Sequence, residues 1–177
     1  MSDEEDAQIY LEDYDPVWPA RFAVERQRLV EVLEPWMAGP IEHVGSTAIP
    51  GLRAKPIIDI MVAVRTLEES RPAIDVLRGL SYLYFPHRAD VMHWFCKPSP
   101  EIRTHHLHLV PFRSRLWTER LVFRDYLRSH PLAASEYATL KARLAEEHRS
   151  DREAYTDAKG PFIRRILAIA SAAADES

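Results

Sequence analysis

Three stretches of the chain hold side chains whose types and spacing could do chemistry. In PIIDIMVAV, residues 56–64, a single carboxylate, Asp59, interrupts an apolar run. Strand alternation puts Ile58, Ile60, Val62 and Val64 on one face and Ile57, Asp59, Met61 and Ala63 on the other. A carboxylate there is costly to bury unless a metal ion, a nearby Lys or Arg, or a loop N–H pairs with it. In RTHHLHLV, residues 103–110, the same alternation gives Thr104, His106 and His108 one face and Leu107 and Leu109 the other. Two imidazoles at this spacing suit a metal, and Asp59 from a neighbouring strand would complete a two-His, one-carboxylate set. A polar sheet face, with the histidines bonded to backbone or to Asp59, fits the same pattern.

The third stretch is GSTAIPGLRAK, residues 45–55. It is not a P-loop, because Lys55 stands too far from Gly51 and no Ser or Thr follows it. Free N–H groups and hydroxyls at Gly45, Ser46 and Thr47 could instead hold phosphate. A tight turn that needs Gly45 and Gly51 for backbone reasons is the other reading. Lys141, between Tyr137 and Leu144, and Lys159, between Tyr155 and Phe162, fall beside apolar helical stripes. Snorkelling explains such lysines, and so would cations aimed at an anionic ligand, with Lys55, Arg103 and Arg124 joining them. Arg124 and Asp125 also read as a surface pair, and Trp36, Trp94 and Trp117 as core or pocket-wall aromatics.

These residues must be positioned by the elements around them. A chain of 177 residues, 46% hydrophobic and 28% charged, suits one domain. The reading is an acidic, solvated tail over 1–12 and a domain over 13–177, with a sheet-containing half (13–112) and a helical half (113–177). Asp15 as N-cap and Pro16 open a helix carrying Trp18, Phe22, Leu29 and Leu33 and ending near Pro35. Strands are expected at IEHV, PIIDIMVAV, YLYF, VMHWFCK and THHLHLV. Between the second and third lies a helix with a Thr66/Glu69 capping box and a Gly79 stop, its start delayed by Pro72. From Arg113 onward three helices follow, the last running unbroken through REAYTDAKGPFIRRILAIASAAA and packing with the others on the sheet.

Net charge of −4 and a pI near 6.1 argue against a grip on bulk nucleic acid. The single Cys96 excludes an internal disulfide and a cysteine-based zinc module. The start, MSDEEDAQ, lacks the pattern of a secretory signal, and no apolar run approaches the roughly 20 residues that span a bilayer. A cytoplasmic protein without a membrane partner is expected; the oligomeric state is not indicated.

The segments HVGSTAIPGLRAKPIIDI, RTHHLHLV, FRDYLRSHP, YATLKARLA and YTDAKGPFI, in this order, give the chain a likeness to a known family. From about Trp18 to Ile169 it resembles the GrpB family, related to the DNA polymerase beta type nucleotidyltransferase superfamily. That resemblance implies an α/β (α+β) fold, a nucleotidyltransferase-like mixed sheet flanked by helices with a C-terminal helical segment. It also implies a Gly-Ser phosphate turn at Gly45 and Ser46 and a first metal carboxylate at Asp59. Met61 stands where the second carboxylate belongs, and thioether is a poor ligand for Mg²⁺. His106 and His108 could replace it, favouring Zn²⁺, Mn²⁺ or Fe²⁺ over Mg²⁺.

The implied function is binding of a nucleotide or other phosphorylated small molecule, with metal-dependent transfer of a nucleotidyl group to a small acceptor. Asp59, His106 and His108 would be catalytic and hold one divalent ion (Mg, Mn or Zn). Gly45, Ser46 and Thr47 would cradle phosphate, and Lys55, Arg103, Lys141 and Lys159 would neutralise it. A metal-dependent phosphoester hydrolase and a noncatalytic ligand-binding module are the alternatives. A link to coenzyme A metabolism follows from the fusion of GrpB-like domains to dephospho-CoA kinase.

Overall fold

A computed structural model describes residues 8–175. Strands β1 (Met37–Val44), β2 (Ile58–Val64), β3 (Leu83–Phe85), β4 (His93–Pro98) and β5 (Arg103–Pro111) form one mixed sheet in the order β1-β2-β5-β4-β3. Only the β2/β5 pair is parallel; the other three ladders are antiparallel. That pair sets Asp59 opposite His106 and Met61 opposite His108.

Alternation along β2 and β5 divides the core as the sequence predicts. Ile58, Ile60, Val62, Val64, Leu107 and Leu109 meet Trp18, Leu29 and Leu33 of α1 (Trp18–Leu33) and Ala73 and Leu77 of α2 (Ala73–Leu77). On the other face, Met61, Ala63 and Val110 pack with Trp117 of α3 (Arg115–Ser129). Burying these aliphatic side chains stabilises the fold by roughly 1.5–3 kcal/mol each. Three further helices follow: α4 (Pro131–Glu147), α5 (Arg152–Ala158) and α6 (Gly160–Asp175). Leu127, Tyr137, Phe162 and Ile166 from α3, α4 and α6 close over Ile49 and Leu52, seating the helical segment on the loop between β1 and β2.

Several boundaries depart from the sequence reading. α1 begins at Trp18, because the Asp15 carboxylate accepts the Val17 N–H at 2.9 Å and holds residues 15–17 in a turn. The next helix, α2, begins only at Ala73; in the turns before it Thr66 Oγ1 accepts from Glu69 N, but the Glu69 carboxylate pairs with Arg65, so the capping box is half made. Ser81, at φ 64°, rather than Gly79, ends the short helical turn after α2. The last predicted helix is two, broken at Lys159–Gly160, since Pro161 has no N–H to continue the ladder. Residues 1–7 of the acidic tail lie outside the described residues. Residues 8–12 are not a solvated tail: Ile9 is buried against Leu144 and Tyr155, and Glu12 bridges to Ala54. Among the described residues no helix is long and apolar enough to cross a membrane.

Candidate functional site

The parallel pairing of β2 and β5 brings Asp59, His106 and His108 together on one sheet face. His106 Nδ1 donates to Asp59 Oδ1 at 3.1 Å, and His108 Nε2 lies 3.6 Å from the same oxygen. Burial raises the Asp59 pKa, but the imidazole N–H donors outweigh it and hold the carboxyl well below its ordinary range. Burial, then the charge of Arg120, pushes His108 down to about 3, so it is neutral. The Asp59 side chain keeps 26% of its surface exposed, so this carboxylate lines an accessible surface.

Cations surround it. Lys141 is buried and its Nζ donates to Arg53 O at 2.5 Å, with the Tyr137 ring 5.3 Å away. Lys159 Nζ stands 4.3 Å from the centroid of the Tyr155 ring, and Lys55 Nζ 5.3 Å from that centroid. Neither Lys141 nor Lys159 joins an ion pair among the described residues. Burial and neighbouring lysines push Lys141 down to about 7 and Lys159 to about 8, while Asp59 acts on both in the opposite sense. Snorkelling is therefore the wrong reading. A snorkelling lysine delivers its ammonium to water, whereas Lys141 is buried with its ammonium on the Arg53 carbonyl, and half-buried Lys159 turns its ammonium onto the Tyr155 ring.

The turn after β1 divides between function and support. Gly45 takes φ 72°, and a Cβ there would come within 2.5 Å of Asp59 Oδ2, so both conformation and close approach require glycine. Ser46 is half-buried and pairs with the Tyr137 hydroxyl beside Lys141. Thr47 does not serve a phosphate: its buried hydroxyl donates to Ile57 O at 3.3 Å and meets His43 Nε2 at 2.9 Å. Arg103 is not with the lysines either. Its Nε donates to Pro100 O and its guanidinium covers Trp94, whose ring adjoins His106. Arg124 makes the expected pair with exposed Asp125, at 2.8 Å, but is itself buried and also bonds Glu42 at 2.6 Å and His43 O at 3.1 Å.

Sequence reasoning missed Arg120, Tyr137 and Tyr155. Trp117, Arg120, Arg124 and Leu127 recur at helical spacing along α3, a stripe that marks Arg120 as facing the sheet. Tyr137 and Tyr155 stand four residues before Lys141 and Lys159, on the same helical faces.

Burial of charge alone does not distinguish this face. A cleft of about 740 Å³ on the opposite side of the sheet is lined by Arg21, Glu25, Arg28, Lys97 and His105. There, however, Glu25 is satisfied by Tyr82 at 2.8 Å and Lys97 at 2.5 Å. Lys141 and Lys159 have no such counter-ion among the described residues.

The donor set does not fit a divalent ion. If His106 Nδ1, His108 Nε2 and Asp59 Oδ1 ligated a metal, His106 Nε2 and His108 Nδ1 would carry protons and need acceptors. Both atoms are buried and have no partner among the described residues. Met61 is sealed in the core with Val44, Ala63 and Trp117. Among the described residues, no group of three or more His, Cys, Asp or Glu side chains is arranged to hold a metal ion.

Comparison with known proteins places this geometry in context. The family model described as GrpB protein matches residues 8–168. A UPF0157 protein of Pseudomonas aeruginosa is 40% identical over 176 residues, covering 97% of this chain and 72% of that one. The crystal structure of conserved protein GrpB from Enterococcus faecalis superposes with a TM-score of 0.82 at 34% identity, covering 91% of this chain and 96% of that one. More distantly, a dephospho-CoA kinase of Mycolicibacterium paratuberculosis is 27% identical over 186 residues, covering 89% of this chain and 45% of that protein.

Proposed function

The chain belongs to the GrpB family, and from the site its fold builds we propose that it binds a phosphorylated small molecule, nucleotides included, on the sheet face around Asp59. One observation carries this reading: Lys141 is buried within reach of the charges of Lys159 and Lys55, Lys159 is half-buried against the Tyr155 ring, and neither Lys141 nor Lys159 has a carboxylate in ion-pair contact among the described residues. Ammonium groups so placed are stabilised when an anion enters. Phosphate suits the position, because lysines supply point charges and the neighbouring Ser46 supplies a hydroxyl. Relatives named dephospho-CoA kinase make coenzyme A precursors natural candidates beside nucleotides.

Nucleotidyl transfer is the reaction that the superfamily likeness adds. In it the lysines would stabilise charge developing on the phosphoryl oxygens, and binding would position the acceptor. The test is a thermal-shift panel of phosphates, nucleotides and coenzyme A precursors on the wild type and on Lys141→Met and Lys159→Met. A true ligand at 100 times its Kd stabilises the wild type by about 2.7 kcal/mol, and both variants lose that response. If no phosphorylated compound stabilises the wild type, or the variants respond equally, the proposal fails. With labelled ATP and candidate acceptors, pyrophosphate release supports transfer, and free phosphate alone favours hydrolysis.

A further inference from the structure

We propose that Arg120 forms a second anion subsite across Asp59 from the lysines, and that the ligand carries two phosphate groups separated by a hydroxyl-bearing spacer. This inference rests on the lysine face being a phosphate site. It begins with a contrast on one helix. Arg124 is buried and fully engaged, with two carboxylates and a carbonyl. Arg120, one turn earlier and half-buried, meets only the thioether of Met92, at 4.0 Å, and joins no ion pair among the described residues. A guanidinium has five N–H donors in a fork suited to phosphate, and sulfur is a weak acceptor for them. Asp59 and Arg88 are the other charged groups that act on Arg120, and Arg88 makes the local excess of positive charge larger.

Register gives the two cationic sets their order. Arg120 lies by His108, which pairs with Met61, two residues beyond Asp59 along β2. The lysines gather at the opposite end, around Lys55, Arg53 and Tyr155, before β2 begins. Asp59 therefore stands between two cationic poles, with its side chain half-buried. Two residues along a strand span about 6.6 Å, so the poles are separated by at least that order. A continuous polyphosphate would lay anionic oxygens against Asp59. A bisphosphate would place its ends at the two poles and offer Asp59 a hydroxyl to accept from.

The experiment measures binding of fructose 6-phosphate, fructose 1,6-bisphosphate and tripolyphosphate to the wild type, Arg120→Gln and Arg120→Lys by titration calorimetry. The wild type should bind the bisphosphate at least about tenfold more tightly than the monophosphate, and more tightly than tripolyphosphate. Arg120→Gln should erase the bisphosphate advantage while leaving monophosphate affinity within about twofold; Arg120→Lys should restore part of it. Equal losses for both sugars, no loss for either, or tighter binding of tripolyphosphate overturns the inference. If the wild type binds no monophosphate, the lysine reading fails with it; if it does and the Arg120 effect is flat, only this inference fails.

Discussion

A lysine ammonium held out of water beside two others gives up its proton more readily, and Lys141 shows the consequence. Burial, then the charges of Lys159 and Lys55, lower it to about 7, with Asp59 offsetting part of the effect. An unfolded lysine titrates near its ordinary value, so between about pH 7 and about pH 10.5 the folded protein binds fewer protons than the unfolded chain. Stability contributed by this residue therefore rises with pH across that window, and its penalty is complete below pH 7. An anion reverses the preference by stabilising the charged form. Sulfate, a dianion throughout, should therefore bind with proton uptake near pH 8 and weaken by roughly tenfold or more from about pH 6 to about pH 9. Calorimetry in buffers of different ionisation enthalpy reads both quantities; a pH-independent affinity without proton uptake would rule out the lysines as the binding groups.

At the scale of the element, α3 both builds the site and fastens it. Trp117 anchors the helix in the core, Arg120 faces Asp59, and Arg124 ties the helix to Glu42 and to the His43 carbonyl of β1. One turn further, Arg128 Nε donates to Ala48 O at 2.8 Å. The two arginines thus hold carbonyls on either side of the Gly45–Ser46 turn, and the turn's geometry depends on a helix some 80 residues away in sequence. Replacing Arg124 by Ala leaves the half-buried Glu42 carboxylate without its partner, a loss of about 1–3 kcal/mol. Urea unfolding should show that loss at an unchanged m-value. A loss under about 0.5 kcal/mol would mean that the pair is solvated and does not fasten α3 to the sheet.

Across the whole molecule, the sheet separates two kinds of surface. One face is an aliphatic core under α1 and α2; the other carries Asp59 and two histidines beside α3, with Arg120, Lys141 and Lys159 joining no ion pair among the described residues. Because the histidine nitrogens that would face away from a metal have no acceptors among the described residues, protein purified without chelators should contain much less than one equivalent of zinc or manganese. Elemental analysis checks this; a stoichiometric metal lost on His108→Ala would overturn it. Much of this arrangement was legible in the chain itself. Two-residue alternation determined which faces of β2 and β5 Asp59, His106 and His108 occupy, and the Gly45 turn followed from local pattern. Local pattern could not say which strands are neighbours, and four elements separate β2 from β5 in sequence. The sequence by itself determined the faces, because side-chain direction on a strand is a property of the backbone repeat. Only the tertiary structure decided that Thr47 is a buried strut, that Lys141 is buried and the Lys159 ammonium lies over Tyr155, that Arg124 is paired and that Arg120 joins no ion pair among the described residues. Burial and partnership of a charge depend on what distant elements bring to it.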